Sequence, residues 1–261
     1  MTSSERGGPA ARSVTRGDGA TIAYHGTPGD GPGVVFLTGF RSDMTGAKAV
    51  ALDDACRARG RAYLRFDYTG HGQSSGAFTD GTIGQWAADV VFAIERLTEG
   101  PQVLVGSSMG GWIMLLAALA LGPRVAGLVG IAAAPDFTED LIWQAADEAT
   151  RATLRRDGVF LEPSAYSPEP TPITLKLIEE GRRHLLLRAP IAVTCPVRLI
   201  HGMRDPDVPW QTALRLAERL ESRDVELILV KDGDHRLSTD DDLERLARVV
   251  DEVCRRVAAP R

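Results

Sequence analysis

The most informative sequence feature is a serine flanked by glycines, which lies between a predicted strand and a predicted helix. Residues 102–105 form an apolar run typical of a strand, and residues 110–120 carry almost no polarity, which predicts a buried helix. Between them, residues 106–110 read GSSMG and match G-x-S-x-G with Ser108 at the centre. A strand, a sharp turn and a helix in this order expose a serine hydroxyl at the end of the strand. The pattern therefore predicts Ser108 as a nucleophile.

The alternative is a glycine-rich turn that only caps a helix, since glycine and serine are common residues. The flanking strand and helix favour the nucleophile. Ser107 is the local competitor, but Val105 and Met109 stand where its two glycines should be. A helix that begins at Ser108 would also direct free N–H groups towards developing negative charge, which suits nucleophilic attack on a carbonyl.

Along the rest of the chain, short β-branched runs alternate with longer helical stretches, which predicts an α/β fold. The predicted strands are 12–15, 20–24, 33–37, 62–66, 102–105, 125–132, 197–200 and 226–230. The predicted helices outside the insertion described next are 47–59, 85–97, 110–120 and 241–257. The run 33–37 is continuously apolar, as expected for a strand covered on both faces.

A longer insertion separates the predicted strands 125–132 and 197–200. Residues 136–156 and 173–187 are predicted to be helical, whereas 158–172 contain four prolines and are predicted to be irregular. An insertion at this point should form a small cap, at about 136–194, over the carboxyl ends of the strands. We expect a flexible tail over 1–11 and one domain over 12–261.

Composition restricts the partners of this chain. Of its 261 residues 25% are charged, the formal net charge is −5, and no basic block stands out, so a nucleic-acid partner is not expected. Three cysteines, an odd number, favour a reducing compartment, and the polar start lacks the apolar run of a secretory signal. The most apolar segment, 112–121, is too short to span a membrane. A cytoplasmic location is expected, and the oligomeric state is left open.

A serine hydroxyl needs a base to remove its proton, and histidine is the usual one. The chain has five histidines: His25, His71, His184, His201 and His235. In strand–turn–helix serine enzymes of this kind the order is serine, acid, histidine. His235, in the loop after the last predicted strand, follows both the serine and a suitably placed acid, and it is the predicted base.

The acid should lie in the loop after a late strand, and the loop after residues 197–200 offers two aspartates. Asp205 and Asp207 compete for the position. Either one could instead be a turn residue or cap the helix that begins near Trp210. The residues alone leave this choice open.

Several motifs together resemble the serine hydrolases of the α/β-hydrolase superfamily. HGMRDPDVP at 201–209 resembles their H-G-x-x-D-x-x-V-P segment, and FDYTGHGQS at 66–74 resembles their D-x-x-G-x-G-x-S loop. With GSSMGGW and DHR, the chain is similar from about residue 20 onwards to the abhydrolase-type palmitoyl-protein thioesterases and acyl-glucuronide esterases. A composition of 27 arginines against 3 lysines is typical of a bacterial relative.

The resemblance implies an α/β-hydrolase fold, with a mostly parallel central sheet, helices on both faces and a small cap. It implies a triad of Ser108, Asp205 and His235, and so resolves the choice between the aspartates. It also implies hydrolysis of acyl esters or thioesters, such as S-acyl cysteine and acyl glucuronides, through an acyl-enzyme. The substrate would be a small molecule or an S-acylated protein. The alternatives are a carboxylesterase or C–C bond hydrolase of small metabolites, or a non-catalytic ligand receptor.

An acyl-enzyme mechanism needs two N–H donors for the oxyanion. One should be the backbone of Met109, directly after the nucleophile. The second should come from the loop at 38–41, where the Phe40 amide is favoured, although Thr38 stands where many relatives carry histidine. The Cys and His spacing offers no zinc pattern, and neither a metal nor an organic cofactor is expected.

Overall fold

The computed structural model describes residues 10–164 and 168–258, and its centre is a sheet of eight strands. The strands of this sheet are β1 (Arg12–Thr15), β2 (Thr21–Thr27), β3 (Asp30–Leu37), β4 (Arg61–Phe66), β5 (Gln102–Ser107), β6 (Val125–Ile131), β9 (Val197–Gly202) and β10 (Val225–Val230). Their spatial order is β1-β2-β4-β3-β5-β6-β9-β10. Strands β1 and β2 are antiparallel to their neighbours and the other pairs are parallel, as expected for this fold.

Helices cover both faces of the sheet. They are α1 (Ala47–Arg57), α2 (Ile83–Leu97), α3 (Met109–Leu121), α6 (Gln211–Arg219) and α7 (Asp240–Ala258). One apolar cluster joins α1 and α7 to one face, and a second joins α2, α3 and α6 to the other. Alternation along β3 produces this division, because Val34 and Phe36 enter the first cluster whereas Val35 and Leu37 enter the second. The prediction of a strand buried on both faces is confirmed.

The elements predicted for the sheet and its helices are observed, with bounds that differ by at most three residues. Strand β5 extends two residues beyond its predicted end and carries the chain directly to Ser108. Helix α3 begins at Met109, so it starts at the predicted nucleophile. The main sequence patterns therefore place the site at the carboxyl edge of the sheet.

The insertion between β6 and β9 differs from its prediction in three places. Residues 136–156 are not one helix, because a π-helix over Thr138–Trp143 and α4 (Glu148–Asp157) are separated by a turn. Residues 158–172 are not wholly irregular, because β7 (Val159–Glu162) pairs antiparallel with β8 (Thr171–Thr174). The predicted helix over 173–187 shrinks to α5 (Leu175–Gly181) and one 3₁₀ turn.

Strand β8 is possible in spite of its proline because the cap sheet has two strands only. Each strand of such a pair is an edge strand, and a proline without an N–H group is tolerated where that side of the backbone is not paired. Pro172 lies opposite Leu161 in this ladder. Part of the proline-rich segment, 165–167, and most of the expected tail, 1–9, lie outside the described residues.

A buried carboxylate joins the two ends of the cap insertion. Asp136 has a positive φ of 62° and is fully buried just after β6. It accepts hydrogen bonds from the backbone amides of Leu186 (2.7 Å) and Leu187 (2.9 Å) and from Arg188 (2.7 Å). The two ends of the insertion are therefore tied to each other at the edge of the sheet that carries Ser108. In the part of the chain described, no helix is long and apolar enough to cross a membrane.

Candidate active site

The backbone holds Ser108 in a strained conformation at the turn between β5 and α3. Its φ of 53° and ψ of −119° lie in a region that residues with a side chain rarely adopt. Three hydrogen bonds impose it: Ser108 N–H donates to the Ile131 carbonyl (2.9 Å), and the Ser108 carbonyl accepts from Gly111 (2.8 Å) and Ala134 (3.0 Å). The turn is thereby fixed against β6, and the half-buried Ser108 side chain is directed out of the sheet.

The two glycines of the GSSMG motif are required by close backbone contacts. A Cβ atom at Gly106 would overlap with the Gly110 carbonyl, and one at Gly110 would overlap with the carbonyl of Leu37 in β3. A methyl group at either position would push α3 away from the sheet. The glycine spacing that identifies the motif is therefore the spacing that lets the helix start this close to β5.

The structure brings the predicted base to the predicted nucleophile. His235 lies in the loop between β10 and α7, and its Nε2 is 3.1 Å from Ser108 Oγ. Its Nδ1 is 2.8 Å from Asp205 Oδ2. A carboxylate can only accept, so Nδ1–H donates to Asp205, and Nε2 is left to accept the hydroxyl proton of Ser108. This is the tautomer that a general base requires.

Asp205 is the aspartate that contacts His235, and its side chain is fully buried. Its second oxygen accepts the backbone N–H groups of Asp207 (2.9 Å) and Val208 (2.8 Å). Burial alone would raise the pKa of Asp205, but hydrogen bonds from His201, His235 and Val208 outweigh it and hold that pKa well below the usual range. Asp205 is therefore ionised at neutral pH, whereas the exposed Asp207 contributes its backbone amide.

The loops that carry the acid and the base are joined by their backbones. Arg204 N–H donates to the Gly233 carbonyl (2.9 Å), and Met203 N–H donates to the Val230 carbonyl (2.8 Å). A Cβ atom at Gly202 would overlap with the carbonyls of Gly233 and Asp234. This close approach of the two loops fixes the distance between the side chains of Asp205 and His235, and it does not involve the cap.

His201 contacts Asp205, and the sequence analysis did not predict this contact. Its side chain is 1% exposed, and its Nε2 is 3.1 Å from Asp205 Oδ2 and 2.9 Å from the Val208 carbonyl. Both partners are acceptors, so Nε2 carries the proton, and its N–H group donates to both of them. Within the described residues its buried Nδ1 has no hydrogen-bond partner. The sequence feature that could have indicated this contact is the HGMRD segment, which places His201 four residues before Asp205 at the end of a strand.

Replacing His201 by phenylalanine is expected to lower kcat about 10- to 100-fold with little change in KM. The variant removes a donor from a buried carboxylate, and hydrogen bonds to charged groups contribute about 1.5–3 kcal/mol. His201→Gln places an amide N–H at a similar reach and should recover much of the loss. Steady-state kinetics and thermal unfolding of both variants measure this. A phenylalanine variant with unchanged kcat, or a glutamine variant equally impaired, would show that His201 does not support Asp205.

The amides predicted for the oxyanion hole lie on the two segments that meet at Ser108. A Cβ atom at Gly39 would come within 3.4 Å of Ser108 Cβ, so the loop that carries Phe40 passes directly over the nucleophile. Met109 is the first residue of α3. Among the described residues, neither the Phe40 nor the Met109 amide donates to a backbone carbonyl outside the regular elements. Their assignment to an oxyanion hole stays a prediction.

The FDYTGHGQS segment organises the loop that carries Phe40. Asp67 is buried and accepts from the backbone amides of Met44 (2.7 Å) and Gln73 (2.8 Å). Burial raises the pKa of Asp67, and these two hydrogen bonds oppose the increase. Ser74 Oγ donates to the Asp67 carbonyl (2.6 Å). The conspicuous polar residues of this motif therefore connect the loops after β3 and β4.

Aromatic rings surround Phe40 on the side of the core. Its ring centroid is 4.9 Å from that of Phe78, 5.7 Å from that of Phe137 and 6.0 Å from that of Trp86. Phe40 also packs on the small apolar cluster of the cap, and the neighbouring Arg41 donates to the Pro170 carbonyl (2.7 Å). The loop beside the nucleophile therefore contacts both the core and the cap.

Among the described residues, one group has donor atoms close enough to hold a metal ion. It consists of Asp205, Asp207 and His235, whose ligand atoms all lie within 4.8 Å of one another. Two of its members already hydrogen-bond to each other, and that contact explains their proximity. The expected absence of a metal and of a cofactor stays a prediction.

The fold, the strained serine and the Ser–His–Asp contacts define a class of protein. Residues 34–249 match the alpha/beta hydrolase family, and the chain belongs to that family. It is a serine hydrolase of the ester and thioester class.

Mitochondrial palmitoyl-protein thioesterases named ABHD10 are similar to it over most of their length. The Bos taurus protein is 43% identical over 92% of this chain and 78% of its own, and the human protein is 40% identical over 94% and 82%. The structure of the mouse protein superposes with a TM-score of 0.88 at 41% identity, covering 94% of this chain and 98% of that chain. Their names place those relatives in mitochondria, and the cytoplasmic location expected for this chain stays a prediction.

Proposed function

We propose that this protein hydrolyses acyl thioesters, including S-acyl cysteine, and activated acyl esters through Ser108, His235 and Asp205. The observation that carries the proposal is the continuous hydrogen-bonded line from Ser108 Oγ to His235 (3.1 Å) and from His235 to Asp205 (2.8 Å). A half-buried serine at the start of that line is reachable by a substrate, and the fully buried Asp205 side chain at its end is shielded from water.

In the proposed cycle, Ser108 Oγ attacks the acyl carbon while His235 Nε2 takes the hydroxyl proton. The tetrahedral oxyanion accepts N–H groups from Met109 and Phe40. When the intermediate collapses, the bond to the leaving group breaks and His235 returns its proton to the leaving sulfur or oxygen. Water then attacks the acyl-enzyme with His235 again as base, which releases the acid and restores Ser108. Asp205 stays ionised and stabilises the imidazolium in both halves.

Two observations support a thioester substrate. The relatives that match over most of their length are named palmitoyl-protein thioesterases. The loop that passes over Ser108 also carries the half-buried Phe40, and an apolar side chain at that position suits an acyl chain better than a charged group. A thiol with a pKa of about 8.5 leaves more readily than an alkyl alcohol, so a thioester demands less acid assistance from His235.

The test compares matched substrates that differ in the leaving atom. Acyl-CoA and an S-acylated peptide are assayed beside the O-acylserine form of the same peptide, over a series of acyl lengths, and kcat/KM is measured for each. We expect the thioester to exceed its oxygen ester at every length, and a fluorophosphonate to label Ser108. Turnover of p-nitrophenyl butyrate and oxygen esters alone would indicate a carboxylesterase. Tight ligand binding without turnover or labelling would indicate a receptor. Either result would refute the proposal.

A further inference from the structure

Lys48 lies where electrostatics disfavours an ammonium group. It is the second residue of α1, and the amino end of a helix carries partial positive charge. Its side chain is half-buried, and burial together with the nearby Arg236 lowers the pKa of Lys48 to about 8, against the opposing effect of Asp234 and Asp242. Lysine is rare in this chain, with three among its 30 basic residues. The presence of a lysine at this unfavourable position therefore requires a structural explanation.

The contacts of Lys48 with the loop that carries His235 explain this placement. Lys48 Nζ donates to the backbone carbonyl of Arg236, the residue directly after the histidine. It also donates to Ser238 Oγ over 3.2 Å. These contacts join α1 to a segment about 190 residues later in the chain, at the two positions that flank Leu237.

The loop needs such support because its backbone is strained. Leu237 has a φ of 44°, in the left-handed region that a branched apolar side chain rarely adopts, and it is buried. Local hydrogen bonds supply part of the restraint, from Leu237 N–H to Asp234 Oδ1 (2.9 Å) and from Ser238 Oγ to the Arg236 carbonyl (2.8 Å). A strained conformation persists only where several contacts impose it together. Among these contacts, Lys48 supplies the charged donor.

We propose that Lys48 is a positioning residue for His235, holding the 235–238 turn so that the imidazole stays in line with Ser108 and Asp205. The inference rests on the proposed function, because it assigns a purpose to the placement of the base. Lys48 does not touch substrate or the reacting atoms. It acts through the Arg236 carbonyl, one residue from the histidine.

The charge of Lys48 makes this support dependent on pH. The charged groups that face it are Arg236 and Asp234 of the His235 loop and Asp242 in the first turn of α7. A charged donor makes a hydrogen bond roughly twice as strong as a neutral one. When Lys48 loses its proton above about pH 8, its hold on the Arg236 carbonyl weakens. An arginine at position 48 stays charged over this range and should keep its hold on the Arg236 carbonyl.

The experiment compares Lys48→Met and Lys48→Arg with the wild type and with Lys231→Met, a control on an exposed lysine of the same loop. Values of kcat and KM for an activated ester are measured from pH 6 to pH 10. We expect Lys48→Met to lose about tenfold in kcat at pH 7 with KM nearly unchanged, the scale of one charged hydrogen bond. We expect the wild type to lose kcat above about pH 8, and we expect Lys48→Arg to retain activity without that decline. Lys231→Met should match the wild type.

Thermal unfolding separates positioning from simple folding support. The folded-state pKa of Lys48 lies below its ordinary value of 10.5, so carrying the charge opposes folding in full below about pH 8. That opposition is relieved as the pH rises from about 8 towards 10.5, since the folded state then releases its proton first. The Tm of the wild type relative to that of Lys48→Met should therefore rise between about pH 8 and pH 10.5. If Lys48→Met is fully folded at the assay temperature and is still slower, its loss of kcat does not come from unfolding.

Amide hydrogen exchange over residues 234–239 gives a readout that does not need turnover. We expect faster exchange there in Lys48→Met and unchanged exchange in Lys231→Met. Unchanged kcat and exchange in Lys48→Met, or identical alkaline profiles for wild type and Lys48→Arg, would overturn the inference. If the wild type hydrolyses no acyl substrate while residues 234–239 exchange faster in Lys48→Met, the proposed function is refuted. The role of Lys48 in holding the 235–238 turn is then still supported.

Discussion

Replacing Ser108 by alanine is expected to reduce kcat for acyl transfer by about a million-fold. In the proposed cycle Ser108 supplies the attacking oxygen, and loss of the nucleophile in a triad of this kind typically removes that much, leaving only the contribution of the oxyanion donors and of substrate binding. His235 loses its contact with Ser108 Oγ but keeps its hydrogen bond to Asp205, so the fold should be intact. Labelling by a fluorophosphonate and single-turnover hydrolysis of an acyl-CoA measure the effect, with unfolding curves as a check on structure.

Ser107→Ala is the matched control, because Ser107 is the adjacent serine and was the local competitor for the nucleophile. Ser107 is buried at the end of β5 and pairs with Ile131. Its alanine variant removes one oxygen without touching the Ser108–His235 contact and should stay within a few-fold of wild-type kcat. Full activity in Ser108→Ala, or a comparable collapse in Ser107→Ala, would contradict the assignment.

The sheet and its nucleophile turn could be predicted from the sequence because each depends on a local pattern. The run at 33–37 is apolar at every position since β3 is covered on both faces, and the Gly106–Gly110 spacing follows from backbone contacts within one turn. The residues alone left Asp205 and Asp207 open, because both lie in one polar loop. What separates them is burial and direction, which only the folded loop defines.

The cap was predicted poorly because its elements depend on contacts distant in sequence. Strand β8 contains a proline that local propensity treats as a breaker, yet pairing with β7 offers it an edge position. His201 and Lys48 were missed for a related reason. A histidine that ends a strand and a lysine in a first helical turn look ordinary until the loops at 205 and 236 are brought against them.

Replacing Asp205 by asparagine is expected to lower kcat about 10⁴-fold, mainly by destroying the histidine tautomer. In the wild type, one oxygen of Asp205 accepts from His235 and His201, and the other accepts from the amides of Asp207 and Val208. An asparagine NH₂ group must therefore face donors in either orientation. Relief requires His235 to move its proton to Nε2, where it can no longer accept one from Ser108.

Asp207→Asn is the control for this prediction, because it changes the competing aspartate while keeping the backbone N–H that Asp205 needs. Its kcat should stay within a few-fold of the wild type. The lowered pKa of Asp205 gives a second readout: an ionised, hydrogen-bonded carboxylate stabilises the fold above its ordinary pKa, and that contribution is lost as the pH falls through the lowered folded-state value. Asp205→Asn should therefore unfold more easily than the wild type at pH 7, with a difference that shrinks in strong acid. A larger loss of kcat in Asp207→Asn than in Asp205→Asn would transfer the role to Asp207.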